Sequence, residues 1–205
     1  MRRFTRLATP QYLTEINAKK QLQNWEVWSN RYAQNKIKKQ SYQFSWIKEK
    51  QKINHLLLPS LTAQTQNHCA YCDAYPMKVS DETIDHFKPK GDGRFYHLAY
   101  QWENLYYCCA DCQKAKWEQF DDDLLRPDAA DFSFSRYFIV NYSTGEIDSN
   151  PAASPEDQHR ASITIDIFDL KHKAQCTSRR HSVERFQSMP HADLEDFAYR
   201  FMFDE

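Results

Sequence analysis

Apolar residues near the start of the chain keep a helical beat: Leu22, Trp25, Trp28 and Tyr32 are spaced by three or four, with lysines and arginines between. That period predicts an amphipathic helix within residues 12–40, its tryptophan stripe turned toward a core in preference to a platform for stacked bases. A second helix is predicted from Tyr42 to Leu58, stopped by Pro59, which has no amide hydrogen to continue the ladder. From His68 to Gln119 the pattern is irregular and aromatic, with Gly91 and Gly93 marking a loop. Beyond it, residues 132–142 alternate like a strand, and Ser143-Thr144-Gly145-Glu146 reads as a turn into Ile147, which predicts a β-hairpin. Residues 149–156 read as a loop capping a helix that starts near Ser154 and runs through Ile163 and Ile167 toward Leu170. A last helix is predicted from Ala174 to Met189, bounded by Pro190, with a turn-rich segment at 193–203.

Composition narrows this picture. At 205 residues with 41% hydrophobic and 15% aromatic side chains, the chain can bury a full core, and no stretch approaches the ~20 apolar residues of a bilayer span. The opening Met-Arg-Arg-Phe-Thr-Arg lacks the apolar run of a secretory signal, so the expected location is the cytoplasm. The net charge of −1 hides an asymmetry. Residues 1–60 carry twelve Lys/Arg against three Asp/Glu, 61–130 carry seven against twelve, and 131–205 carry eight against thirteen. A basic arm on an acidic body suits a protein that grips phosphates at one end and holds cations at the other; a solvated helical face gives the same counts.

Cysteine spacing supplies the sharpest chemistry. Cys69-x-x-Cys72 and Cys109-x-x-Cys112 are two knuckles, 36 residues apart, that together complete the four-sulfur shell preferred by structural zinc. Four thiolates around Zn²⁺ leave no open coordination position, so such an ion shapes the fold and does not polarise a substrate. Cys108 offers an alternative register, but only Cys109 makes CxxC with Cys112; Cys176 reads as a small buried residue. A redox role for the CxxC pairs is the weaker alternative.

Between the knuckles lie Asp85-His86-Phe87-Lys88-Pro89-Lys90 and Trp102-Glu103-Asn104-Leu105, followed by Cys109-Ala-Asp-Cys112-Gln113-Lys114-Ala-Lys116. Over residues 69–116 the chain resembles the HNH endonuclease superfamily, in which a DH pair, a downstream NL and CxxC pairs occur in this order. The resemblance implies an α+β fold with a ββα-metal core stapled by the four-cysteine zinc site and flanked by N- and C-terminal helices. The regions would be a basic helical 1–60, a nuclease core at 61–125, and a hairpin and helical region at 126–205, in one compact unit. It also implies phosphodiester hydrolysis: His86 as general base for a water, and Asp85 as a hard ligand for Mg²⁺ or Mn²⁺. Because neighbours on a regular strand face opposite ways, the pair is expected where the strand bends, near Pro89. Asn104 would fix the loop that orients His86. Gln113 stands where the family commonly has His or Asn and would be the second protein ligand of the catalytic ion. Lys116, on the same helical face, would contact phosphate unless it is an ordinary surface lysine, and Lys88 and Lys90 would join it in binding nucleic acid. His97 and His68 lack such support.

The likeness extends further. The Arg-rich start, the Asp85-to-Lys90 string, Trp102-x-Asn104-Leu105 and the helix Arg160–Leu170 resemble the retron- and Septu-associated HNH family called PtuB, although Lys171-His172 replaces the asparagine usual after the late leucine. This implies an anti-phage effector that attacks nucleic acid together with a companion PtuA-type ATPase. With glycine only at 91, 93 and 145, this chain has no GxxxxGK phosphate loop, so ATP dependence would come from that partner. Trp25, Trp28, Phe197, Phe201 and Phe203 are candidate docking anchors, with core packing as their ordinary role. A zinc-stabilised binding scaffold with a degenerate site is the reading from another class.

Overall fold

The computed structural model describes residues 1–48, 51–75, 82–189 and 191–203, and has a mixed α+β architecture of small sheets among helices. Pro190, expected to bound the last helix, lies outside the described residues. The chain begins with a short helix α1 (Gln11–Thr14) and a two-residue hairpin, β1 (Ile16–Asn17) against β2 (Leu22–Gln23). Helix α2 then runs Asn24–Lys38. The single helix expected within residues 12–40 is therefore broken. Asn17 Oδ1 accepts from the amides of Lys19 and Lys20, and Gln21 adopts a left-handed φ of 53°, so a local turn outcompetes the helical ladder. The stripe survives where it is helical: Trp28 and Tyr32 are buried, whereas Leu22 is exposed.

The second helix is also displaced. Helix α3 occupies Ile53–Gln64, with Pro59 inside it, while residues 41–47 form no regular element. Pro59 deprives the His55 carbonyl of its donor. Both residues are exposed, so water can serve that carbonyl and the proline is tolerated.

Strands β3 (Glu82–His86) and β4 (Leu105–Cys109) pair antiparallel, with Asp85 opposite Tyr106 and His86 opposite Leu105. Helix α4 (Ala110–Lys116) follows directly and packs on both strands. After the helical turn α5 (Phe134–Tyr137), β5 (Phe138–Asn141) and β6 (Glu146–Ser149) form the expected hairpin, though its first strand is shorter than 132–142. Helix α6 (Pro155–Ile167) starts at Ser154, whose side chain caps the Asp157 amide. Helix α7 spans Lys173–Ser188. No helix among the described residues is long and apolar enough to cross a membrane.

Two apolar clusters flank the β3–β4 hairpin. One gathers Tyr71, Phe87, Tyr106, Phe138, Ile165 and Phe201, and so draws on the middle and the end of the chain. The other packs Trp28, Leu57, Tyr100, Trp102, Leu105 and Tyr107, joining α2 and α3 to the hairpin. Charged latches close both. Arg6, from the Arg-rich start, pairs with Asp128 at 2.8 Å, donates to the Trp102 and Leu105 carbonyls, and lies over the Tyr106 ring at 4.5 Å. Arg200 grips Asp73 through its guanidinium and its own amide, each contact at 2.6 Å, and Tyr199 donates its amide to the Asp73 carbonyl.

Two outcomes are expected. Burial alone would raise the Asp128 carboxyl, but bonds from Arg126, Arg6 and Tyr106 outweigh it and hold the group down at about 2. Stability from this cluster is then fully present above the unfolded-state value near 3.8 and is lost as pH falls from there toward 2, by roughly 2 kcal/mol. Urea unfolding of wild type and Asp128→Asn between pH 6 and pH 2 should show a stability gap that narrows over that window. At Gly145, φ is +74° and a Cβ would lie 2.1 Å from the Cys176 carbonyl oxygen, so Gly145→Ala should cost on the order of 2–4 kcal/mol in the same assay.

Candidate metal centre and imidazole site

Both knuckles sit at one end of the β3–β4 hairpin. In the first, Asp73 turns the chain back at a left-handed φ of 62°, with its amide on the Cys69 carbonyl, while Ala70 docks its amide on Tyr107 of β4. In the second, Cys109 ends β4 and caps α4, its sulfur accepting from the Cys112 amide at 3.5 Å. The Cys109 amide reaches Cys69 Sγ at 3.3 Å, which joins the knuckles. All four sulfurs are buried and lie within 4.8 Å of one another, the pair Cys72–Cys109 at 3.7 Å. A tetrahedron with Zn–S bonds of about 2.3 Å has edges of roughly 3.8 Å, so the group fits a metal ion such as zinc.

The thiol electrostatics agree with that fit. Burial opposes a thiolate at Cys69, yet bonds from Cys109, Cys112 and Cys72 hold it well below its usual range, and the same contacts drive Cys72 and Cys112 up. A divalent cation among the sulfurs would favour the thiolate form that metal ligation needs. Cys108 faces the other side of β4, against Thr83 Oγ1 at 3.2 Å, and takes no part. All six cysteines are free.

Asp85 and His86 lie at the other end of β3, both within the paired strand, so the expected bend does not occur and their side chains obey the strand's alternation. Asp85, 5% exposed, accepts at Oδ2 from Tyr71 at 2.9 Å, leaving Oδ1. Lys116 Nζ is 3.1 Å from the same oxygen and 2.8 Å from the His86 carbonyl. Lys116 is fully buried, which corrects both expectations for it: it is neither a surface lysine nor open to phosphate. The residue three positions after Gln113 does share its helical face, but that face packs on the hairpin.

The His86 ring points the other way. Its Nε2 stands 2.9 Å from the Ala99 carbonyl, which makes this nitrogen the donor, and Nδ1 is buried with no partner among the described residues. Burial, then the charge of Lys90, hold the imidazole well below its ordinary range against the Ala99 bond, so it is neutral at pH 7 with its lone pair on Nδ1. Phe44 meets the ring edge to face at 5.2 Å and Trp46 stacks on it at 5.7 Å.

Asn104 clamps the connecting loop: its Oδ1 accepts from the Lys88 amide at 2.7 Å, and its Nδ2 donates to the Lys88 and Leu98 carbonyls. Gln113 donates its side-chain amide to the Ile84 carbonyl at 3.1 Å, leaving its oxygen. Lys88 lies 5.4 Å from the Phe95 ring and Lys90 lies 5.4 Å from the Phe44 ring. Asp85, Gln113, Lys90 and Lys114 line one cleft of about 450 Å³, on whose rim Trp117 is 72% exposed. Phe44 also lines this cleft, and the His86 imidazole stands against it. The structure thus brings Asp85 and Gln113 to one cavity and covers the third member. His97 lies in a turn between the strands, and His68 is buried between the Gln66 and Phe197 carbonyls, away from the cleft.

Sequence reasoning missed Tyr71, Ala99 and the segment 41–48. Tyr71, between the first two cysteines, was legible as a candidate by position alone; the other two are joined to the site by tertiary packing. No protein-family model matches the chain, and no curated protein matches it.

Metal analysis of purified protein should find one zinc per chain. Cys72→Ser should lose it and lower the melting temperature by more than about 10 °C, since structural zinc binding is worth on the order of 10 kcal/mol in small domains. A metal-free protein of unchanged stability would refute the staple.

Proposed function

We propose that this protein is a metal-dependent endonuclease of the HNH type, hydrolysing phosphodiester bonds in nucleic acid. The observation that carries this reading is a neutral imidazole with a bare Nδ1, next in sequence to a buried carboxylate and on the opposite face of the same strand, in a strand–strand–helix unit pinned by four cysteines. His86 would take a proton from water at Nδ1, while the Ala99 carbonyl fixes its tautomer and orientation. Asp85 Oδ1 and the Gln113 oxygen are the groups that would hold Mg²⁺ or Mn²⁺, an ion that commonly takes only one or two protein ligands and completes its shell with phosphate and water. Such an ion neutralises charge building on the phosphate and the departing oxygen. Tyr71 and Lys116 hold Asp85 in place, and Asn104 holds the loop behind the base.

Nδ1 must meet water to act, so the segment carrying Phe44 and Trp46 has to shift when substrate enters. The PtuB-like features further support a place in anti-phage defence beside a PtuA-type ATPase, in the cytoplasm. A second reading, a zinc-stabilised scaffold with a degenerate site, draws on the same burial of His86 and on the Lys116 ion pair that already neutralises Asp85.

Purified protein, alone and with a companion ATPase, should cleave plasmid or RNA when Mg²⁺ or Mn²⁺ is added. His86→Ala should reduce the rate at least about 100-fold. Cleavage unaffected by that change would exclude His86 as the base; absence of cleavage with either metal and the ATPase would favour the scaffold.

A further inference from the structure

The segment between α2 and α3 borders a second cavity. Its volume is about 340 Å³, and its walls include Trp28, Tyr32, Tyr42, Trp46 and Tyr100. Aromatic side chains in a core normally close on one another; here Trp28 and Tyr100 are buried, yet Tyr42 and Trp46 stay half-buried around unfilled space. Trp46 meets Tyr100 edge to face at 5.7 Å, and Tyr32 tilts against Tyr42 at 6.2 Å. The Tyr100 hydroxyl donates to the Ser45 carbonyl and accepts from the Ile47 amide, which ties the segment to this wall before substrate enters.

Two exposed cations, Arg31 and Lys48, also line the pocket, and neither has an acidic partner among the described residues. Tyr32 and Tyr42 are shared with the cleft that holds Asp85 and Gln113, so the two cavities adjoin. Trp46 touches both the pocket and the His86 ring. A flat aromatic ligand attached to a phosphate chain matches these features: faces for stacking, cations for phosphate, and a reactive cleft next door. The volume is at the small end of ligand pockets and has no room for a base pair.

We infer that this pocket receives one unpaired nucleobase of the substrate strand and thereby sets the neighbouring phosphate in the Asp85 cleft. This rests on the nuclease reading and deepens it: the substrate class is nucleic acid with an unpaired base, single-stranded or locally opened. A base paired in a duplex would first have to be flipped out.

The test is fluorescence anisotropy with labelled single-stranded DNA, single-stranded RNA and a blunt DNA duplex, without added magnesium or manganese, alongside cleavage of the same probes with those metals. Tyr42→Leu and, separately, the surface change Arg31→Ala should each weaken single-strand binding about tenfold and leave duplex binding unchanged. Lys173→Ala, on the distant α7, serves as control. A single abasic residue scanned along the strand should cost about tenfold at one position, and that cost should vanish in Tyr42→Leu. Tight binding with an abasic residue at every position, or equal losses on single strand and duplex, would overturn the pocket. A binding signature without cleavage by wild type would sink the nuclease reading alone, whereas cleavage without any abasic effect would sink the pocket alone.

Discussion

Five antiparallel residue pairs, Glu82–His86 against Leu105–Cys109, set the position of everything else in the site. Their register puts Cys109 at one end of the hairpin and Asp85 and His86 near the other, a separation that only extended chain provides. The sulfur cluster pins one end, and Asn104 pins the other by clamping the loop that leaves β3. Tyr71 links the two. It belongs to the first knuckle, and its hydroxyl reaches Asp85, so the geometry at the sulfurs is communicated to the carboxylate through one rigid ring stacked on Phe168 at 4.0 Å.

Strand alternation then divides the site chemically. Asp85 faces the cluster with Tyr71 and Lys116, where a buried ammonium balances a buried carboxylate. His86 faces the aromatic cluster built from α2 and the segment after it, where desolvation keeps it neutral. One dipeptide thus presents a carboxyl group and an imidazole to two different environments, an ion pair with Lys116 on one face and a desolvating aromatic cluster on the other.

The elements that were legible are those whose determinants lie close in sequence. CxxC spacing holds two sulfurs on one turn wherever it occurs, and Ser154 with Pro155 marks a helix start through local capping. Gly145 similarly marks the turn of the β5–β6 hairpin. Failures came where a local competitor or a distant partner decided the outcome. Asn17 rewards a turn over the helix that the tryptophan beat suggests. The environment of Pro59 mattered more than its identity, because its cost disappears on a solvated face. Helical periodicity correctly put Lys116 on the face of Gln113 but carried no information about whether water or β3 lay opposite. The cover over His86 comes from residues about forty positions upstream, a relation that no spacing rule contains.

The grip of Arg200 on Asp73 has a bearing on how the chain matures. The turn presenting Cys69 and Cys72 is braced by residues made more than a hundred positions later. The Cys109–Cys112 knuckle draws its own bonds from Cys69 and from within the turn, so the two knuckles differ in how far along the chain their supports lie. Both knuckles are complete by residue 112, whereas the brace on the Cys69–Cys72 turn waits for Tyr199 and Arg200 to be made and folded back.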